Sequence, residues 1–169
     1  MPGVRLSGAD IMADKILLVD DDPNLLSALQ RQLRKRFDLT TAQGGEEALA
    51  AVRAAAERRE PFAVVLSDMR MPGMDGIEVL KQVKDIAPET VRMMLTGNAD
   101  QQTAIAAINE GSILRFYTKP CPAEQLVAGL AAGVEQYRLV TAERDLFEKT
   151  LAGSIKVLAD VVSMNDPTA

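Results

Sequence analysis

The amino-acid sequence predicts an α/β fold: a doubly wound, five-stranded parallel sheet in the order 2-1-3-4-5, followed by an extended C-terminal helix. Three observations predict it. Short apolar runs alternate with longer segments whose apolar residues recur every three or four positions, the pattern of repeated βαβ units. Acidic, hydroxyl or basic residues close the first, third, fourth and fifth of those runs, where an open parallel sheet gathers its ligand-binding groups. From Ala123 to Met164 there is no proline, and helical spacing persists beyond what covering one strand requires.

Taken in order, Lys15-Ile-Leu-Leu-Val19 is the first buried strand and ends in Asp20, Asp21 and Asp22. Pro23 suits a first helical turn, and Leu25, Leu26, Leu29 and Leu33 carry helical spacing up to Arg36. Phe37 to Thr41 is a short second strand. Gly44-Gly45 breaks into a second helix with Ala48, Leu49, Val52 and Ala56 on one face, and Pro61 ends that passage. Phe62-Ala-Val-Val-Leu-Ser67 is the third strand, closed by Asp68 and a loop running to Gly76. Helical spacing resumes from Ile77 to Ile86. Val91 to Thr96 is the fourth strand, Asp100 or Gln101 to Glu110 the fourth helix, and Ile113 to Tyr117 the fifth strand, with Lys119-Pro120 directly after it. This alternation matches the flavodoxin-like sheet.

Beyond the fifth strand, apolar residues recur at Leu126, Leu130, Val134, Tyr137, Val140, Phe147, Leu151, Ile155, Leu158 and Val162. The first part is expected to pack on the sheet. The rest, rising about 1.5 Å per residue, is too long for that and must find a partner. Gly133, Arg144 and Ser154 fall on or beside the heptad seam, so a parallel coiled-coil dimer, a helix folded back on its own domain and a fraying helix all stay open. The expected organisation is a disordered leader over 1–13, a globular domain over 14–138 and a helical linker over 139–169.

Composition excludes several function classes. The 169 residues are 47% hydrophobic, enough for a real core, and carry a formal net charge of -5, which argues against a nucleic-acid surface. Met1 to Ala13 mixes Pro2, Gly3, Arg5, Ser7 and Asp10 without an apolar core and reads as neither signal peptide nor membrane anchor. Cys121 is the only cysteine, so no disulfide framework exists and a cytoplasmic setting is expected. The absence of histidine removes Ser-His-Asp catalysis and His-ligated zinc, leaving carboxylate chemistry.

The carboxylates have a place to act, because Asp20, Asp21, Asp68, Thr96 and Lys119 all fall at the same edge of the predicted sheet. Taken singly, each has a bland explanation: an aspartate after a strand often caps a helix, and a lysine before a proline is unremarkable. Their joint placement at four strand ends is what points to a site. Two carboxylates at about 4 Å repel by roughly 4 kcal/mol at an effective dielectric of 20, so the cluster implies a cation. Oxygen-only ligands suit Mg²⁺, and a carboxylate nucleophile beside it can take a phosphoryl group. Lys119 would pair with phosphoryl oxygens and the Thr96 hydroxyl would donate to one.

At these residues the chain closely resembles the response-regulator receiver family. The acidic pair follows Leu17-Leu-Val, and the loop reads Leu66-Ser-Asp68-Met-Arg70-Met-Pro72-Gly-Met-Asp-Gly76. The switch strand is Met94-Leu-Thr96-Gly97, and Phe116-Tyr-Thr-Lys119-Pro120 closes the set. The resemblance covers about Lys15 to Tyr137. It implies that Asp68 is phosphorylated by a histidine kinase or phosphotransfer protein. Asp21 and Asp68 would ligate Mg²⁺ directly, Asp20 through water, and the Arg70 backbone carbonyl would complete the protein ligands. It also implies a cis Lys119-Pro120 bond and a switch in which Thr96 moves toward the phosphoryl group and Phe116 follows. Phe116 lacks the hydroxyl frequent at that place, and Gly97 leaves the pocket mouth open. Arg70 would line that mouth or stand as a solvated loop charge.

The run from Leu95 to Gly111, together with Arg115 to Pro122 and Gln136 to Glu143, resembles a receiver subgroup that commonly precedes an HD-type phosphohydrolase output domain. Lys149 to Leu158 is similar to the run leading into such domains. With no histidine available, the output chemistry is expected to lie beyond Ala169, with dimerisation through the linker helix and no direct nucleic-acid or membrane partner. Other readings are a stand-alone phosphoryl shuttle or scaffold, a receiver that binds partners without phosphorylation, and a haloacid-dehalogenase-like phosphatase. The last expects Asp-x-Asp-x-Thr, whereas Asn24 stands two past Asp22.

Overall fold

The computed structural model describes residues 14–164, so the expected leader over 1–13 lies outside the described residues. Contacts divide the chain into two units, Met1–Tyr137 and Arg138–Ala169. In the first unit the strands are β1 (Lys15–Val19), β2 (Asp38–Ala42), β3 (Val64–Asp68), β4 (Val91–Thr96) and β5 (Arg115–Thr118). The helices are α1 (Pro23–Leu33), α2 (Gly45–Glu57), α3 (Gly76–Ile86), α4 (Gln101–Asn109) and the start of α5 (Ala123–Met164). All strands pair in parallel in the order β2-β1-β3-β4-β5, the expected topology.

Burial on both faces explains why the central strands read as unbroken apolar runs rather than alternating ones. Leu17, Val19, Val65 and Met94 face a core closed by α2, α3 and α4. Their neighbours Ile16, Leu18, Val64 and Leu66 face the opposite core, closed by α1 and by Leu126, Leu130 and Val134 of α5. Asp22 and Asp75 start α1 and α3 by accepting the backbone N–H of Asn24 and Glu78, each at 2.9 Å.

Some boundaries differ from the sequence expectation. Helix α1 ends at Leu33, not Arg36, because Leu33 is its last buried residue and Arg34, Lys35 and Arg36 are all exposed, with nothing apolar to hold another turn. Ala55 rather than Ala56 faces the core of α2. Phe62 and Ala63 are buried before the β3 ladder begins, so the apolar run outreaches the strand on its N-terminal side. Likewise β2 and β5 each begin and end later than their apolar patterns suggested.

In the second unit the chain is helical from Arg138 to Met164, and Leu139, Phe147, Leu151, Ile155, Leu158 and Val162 are exposed. Among the described residues no helix is long and apolar enough to cross a membrane.

Candidate functional site at the strand ends

The register brings the predicted residues together. Val19 pairs with Ser67 and Asp68 with Leu95, so Asp20 and Asp68 leave neighbouring strands on the same edge. The Lys119 backbone N–H donates to the Thr96 carbonyl at 2.8 Å, tying the end of β5 to the end of β4. Carboxylate oxygens of Asp20, Asp21 and Asp68 all lie within 4.8 Å of one another. The Lys119 Nζ stands 2.7 Å from Asp68 Oδ1 and 3.6 Å from Asp20 Oδ2. The bond between Lys119 and Pro120 is cis, as the resemblance implied.

Neighbouring aspartates have different surroundings. Asp20 is buried and accepts the Asp22 N–H at 2.9 Å, whereas Asp21 is exposed and Asp22 is spent on capping α1. Burial is the largest influence on the Asp20 carboxyl and, with the charge of Asp68, lifts its pKa above the ordinary carboxylate range, against the Asp22 N–H and Lys119. Burial pulls the Lys119 ammonium down, yet its bonds to Asp68 and Asp20 outweigh that and hold its pKa above the usual lysine value. Lys119 supplies positive charge to the pocket, and the acidic trio is a candidate to hold a metal ion.

Thr96 is fully buried, and its hydroxyl donates to the Gly97 carbonyl at 3.2 Å. Phe116 is half-buried against the core on the α2–α4 face, while the next residue, Tyr117, faces α5. Gly129 of α5 is where a side chain would run into the Tyr117 hydroxyl and ring. Gly76 has the same character at the pocket itself: a Cβ there would run into the Asp68 carbonyl oxygen and stand 3.0 Å from the Asp68 carbonyl carbon and from Met69 Cα.

Arg70 is not a free loop charge. Its Nε and Nη2 donate to Asp100 Oδ2 and Oδ1, both at 2.8 Å. These hydrogen bonds hold the Asp100 carboxyl below the usual range and raise the guanidinium. The sequence reading missed Asp100 as a member of the site, because an aspartate opening a helix reads as an N-cap. Asp100 makes no side-chain cap bond.

Five parallel strands in this order, with an acidic trio and a lysine at their ends, define the chain as a doubly wound α/β domain with an acidic strand-end pocket. It belongs to the response regulator receiver domain family, whose model matches residues 16–131, and so to two-component signalling. Among curated relatives it is similar to the hydrogenase transcriptional regulatory protein HoxA of Cupriavidus necator, at 36% identity over 127 residues, 73% of this chain and 25% of that protein. It is also similar to the C4-dicarboxylate transport transcriptional regulatory protein DctD of Rhizobium meliloti, at 34% identity over 144 residues, 84% of this chain and 30% of that protein. The chain thus spans only about a quarter to a third of the length of these relatives.

Among solved structures it resembles one described as an adenylate cyclase from Rhodopirellula baltica, with 46% identity and a TM-score of 0.77, over 80% of this chain and 98% of that one. It also resembles the signal receiver domain of an HD domain-containing protein from Pseudomonas fluorescens Pf-5, with 32% identity and a TM-score of 0.65, over 74% and 97% respectively.

Proposed function

We propose that Asp68 is the phosphoacceptor of this receiver. In the step envisaged, the N–P bond of a partner's phosphohistidine breaks as an O–P bond to the Asp68 carboxylate forms, and the departing histidine nitrogen recovers a proton. The observation that carries the reading is the Lys119 ammonium 2.7 Å from an Asp68 oxygen, beside two further carboxylates. Lys119 would hold the phosphoryl oxygens, and Thr96 would turn its hydroxyl from the Gly97 carbonyl toward one of them. Three carboxylates with no nitrogen or sulfur donor fit Mg²⁺, held by Asp21, Asp68 and the Arg70 backbone carbonyl, with Asp20 acting through water. When bound, the ion supplies positive charge that offsets the carboxylates and phosphoryl oxygens. The pocket's chemistry is limited to gaining and losing its own phosphoryl group. Intact mass after incubation with acetyl phosphate tests this: a single phosphoryl adduct that needs Mg²⁺ and is lost in Asp68→Ala supports it, and an adduct surviving in Asp68→Ala overturns it.

The switch proposed runs from Thr96 through Phe116 to the face made by α4, β5 and α5, and from there to a linker over 139–169 that follows a receiver over 14–138. A contact boundary after Tyr137 supports that division. The exposed Phe147, Leu151, Leu158 and Val161, spaced by four, seven and three, suit a second copy of the same helix. The working location is the cytoplasm, where a histidine kinase would act. The output domain of the full protein is an HD-type phosphohydrolase on the sequence resemblance, which the Pseudomonas receiver supports. The higher identity to the Rhodopirellula structure favours a second reading, a nucleotide cyclase output.

A further inference from the structure

The Arg70–Asp100 pair joins two loops that the phosphoacceptor reading leaves separate. Arg70 lies two residues after Asp68, in the loop between β3 and α3, and Asp100 ends the short helical turn Asn98–Asp100 that leads from Thr96 into α4. The geometry is fork on fork, with both bonds at 2.8 Å. Exposure is lopsided: the Arg70 side chain is 77% exposed and that of Asp100 only 11%. Without the arginine, the carboxylate would be left nearly buried and unpaired, a condition that proteins avoid by moving the group.

Asp100 also stands where an aspartate commonly caps a helix. At the N-termini of α1 and α3, Asp22 and Asp75 each accept a backbone N–H at 2.9 Å. Asp100 occupies the same position on α4 and makes no such bond, with φ -110 and ψ 10 rather than the extended backbone of the other two caps. Its carboxylate is diverted to Arg70. With both oxygens taken by Arg70, the carboxylate does not cap α4, so the ion pair and a helix cap are two alternative uses of one group.

A guanidinium binds a phosphoryl group with the same fork that it offers a carboxylate. Resting on the reading of Asp68 as phosphoacceptor, we propose that the Arg70–Asp100 pair is a latch on the turn between β4 and α4, and that phosphoryl oxygens on Asp68 draw Arg70 away, freeing Asp100 to cap α4. Arg70 then touches the phosphoryl group, whereas Asp100 acts only through Arg70 and the turn. The latch gives Thr96 a reason to move: the turn next to it is released at the moment its new partner arrives.

A double-mutant cycle tests this, with binding of beryllofluoride in the presence of Mg²⁺ followed by calorimetry. Asp100→Asn opens the latch while leaving Arg70 available, so it should tighten beryllofluoride by about fivefold or more, the lower end of ordinary coupling between sites. In an Arg70→Ala background the same substitution should change nothing, since no arginine remains to be freed. Amide exchange over residues 97–104 should already be raised in uncomplexed Asp100→Asn, to the level that beryllofluoride produces in the wild type. A merely structural clamp would weaken binding in both single variants, and that outcome, or a gain that persists without Arg70, overturns the latch. Should Asp100→Asn fail to fold by circular dichroism, Asp100→Ser serves the same purpose. Wild type that binds while Asp100→Asn shows no gain refutes the latch alone; wild type and Asp68→Ala behaving alike refutes the phosphoacceptor reading itself.

Discussion

Gly76 lies where the backbone around Asp68 leaves room only for hydrogen, which makes Gly76→Ala a sharp perturbation of the pocket. The added Cβ would meet the Asp68 carbonyl oxygen, with the Asp68 carbonyl carbon and Met69 Cα each at 3.0 Å. These are backbone atoms, not the ends of flexible side chains, and the Gly76 N–H is already bonded to the Met69 carbonyl at 2.8 Å. Ordinary contact with that oxygen therefore requires the Asp68–Met69 segment or the start of α3 to shift by about an ångström. Overpacking of this kind costs about 1–3 kcal/mol, which outweighs the roughly 1 kcal/mol by which alanine exceeds glycine within a helix. A misplacement of about 1 Å can cost about 100-fold in rate, so phosphorylation slowed by about that factor is expected. The rate comes from intact mass against time with acetyl phosphate, and stability from urea titration. Gly44→Ala is the control, since nothing lies within 4 Å of a Cβ at that position. A Gly76→Ala protein with wild-type rate and stability would refute the steric account.

Three further outcomes are expected. Because the folded pKa of Asp20 is raised, its contribution to stability is full in acid and lost as pH rises from about 4 through the folded value. Urea titrations in chelator should show that loss in the wild type and a smaller one in Asp20→Asn. Leu130→Ala empties a fully buried position between α5 and the sheet, and the urea midpoint should report a loss of about 2–5 kcal/mol. Removal of all residues after Tyr137 should leave phosphorylation intact and abolish any phosphorylation-dependent change of size in light scattering; persistence of that change would remove the linker from the account.

Much of the fold was legible because burial leaves a direct trace in sequence. The unbroken apolar runs of β1 and β3 announced strands covered on both faces, and three-and-four spacing announced the helices. The boundaries were less legible where burial and ladder pairing part company, as at Phe62 and Ala63, which are buried ahead of β3. The strand-end residues were legible because topology alone carries Asp20, Asp68, Thr96 and Lys119 to one edge. Arg70–Asp100 was not, because the pair is separated by 30 residues and each partner has an ordinary local explanation. The resemblance gave Asp20 and Asp21 different metal roles, but only the path of the chain after β1 separates the three acids into a buried one, an exposed one and a cap.

The central claim is that Asp68 carries the phosphoryl group. Protein treated with acetyl phosphate and Mg²⁺, reduced with borohydride to trap the acyl phosphate and mapped by peptide mass spectrometry, tests it most directly. The account predicts one modified residue, Asp68, with Asp20 and Asp21 unmodified. Modification at either of those two, or none at Asp68, would contradict it.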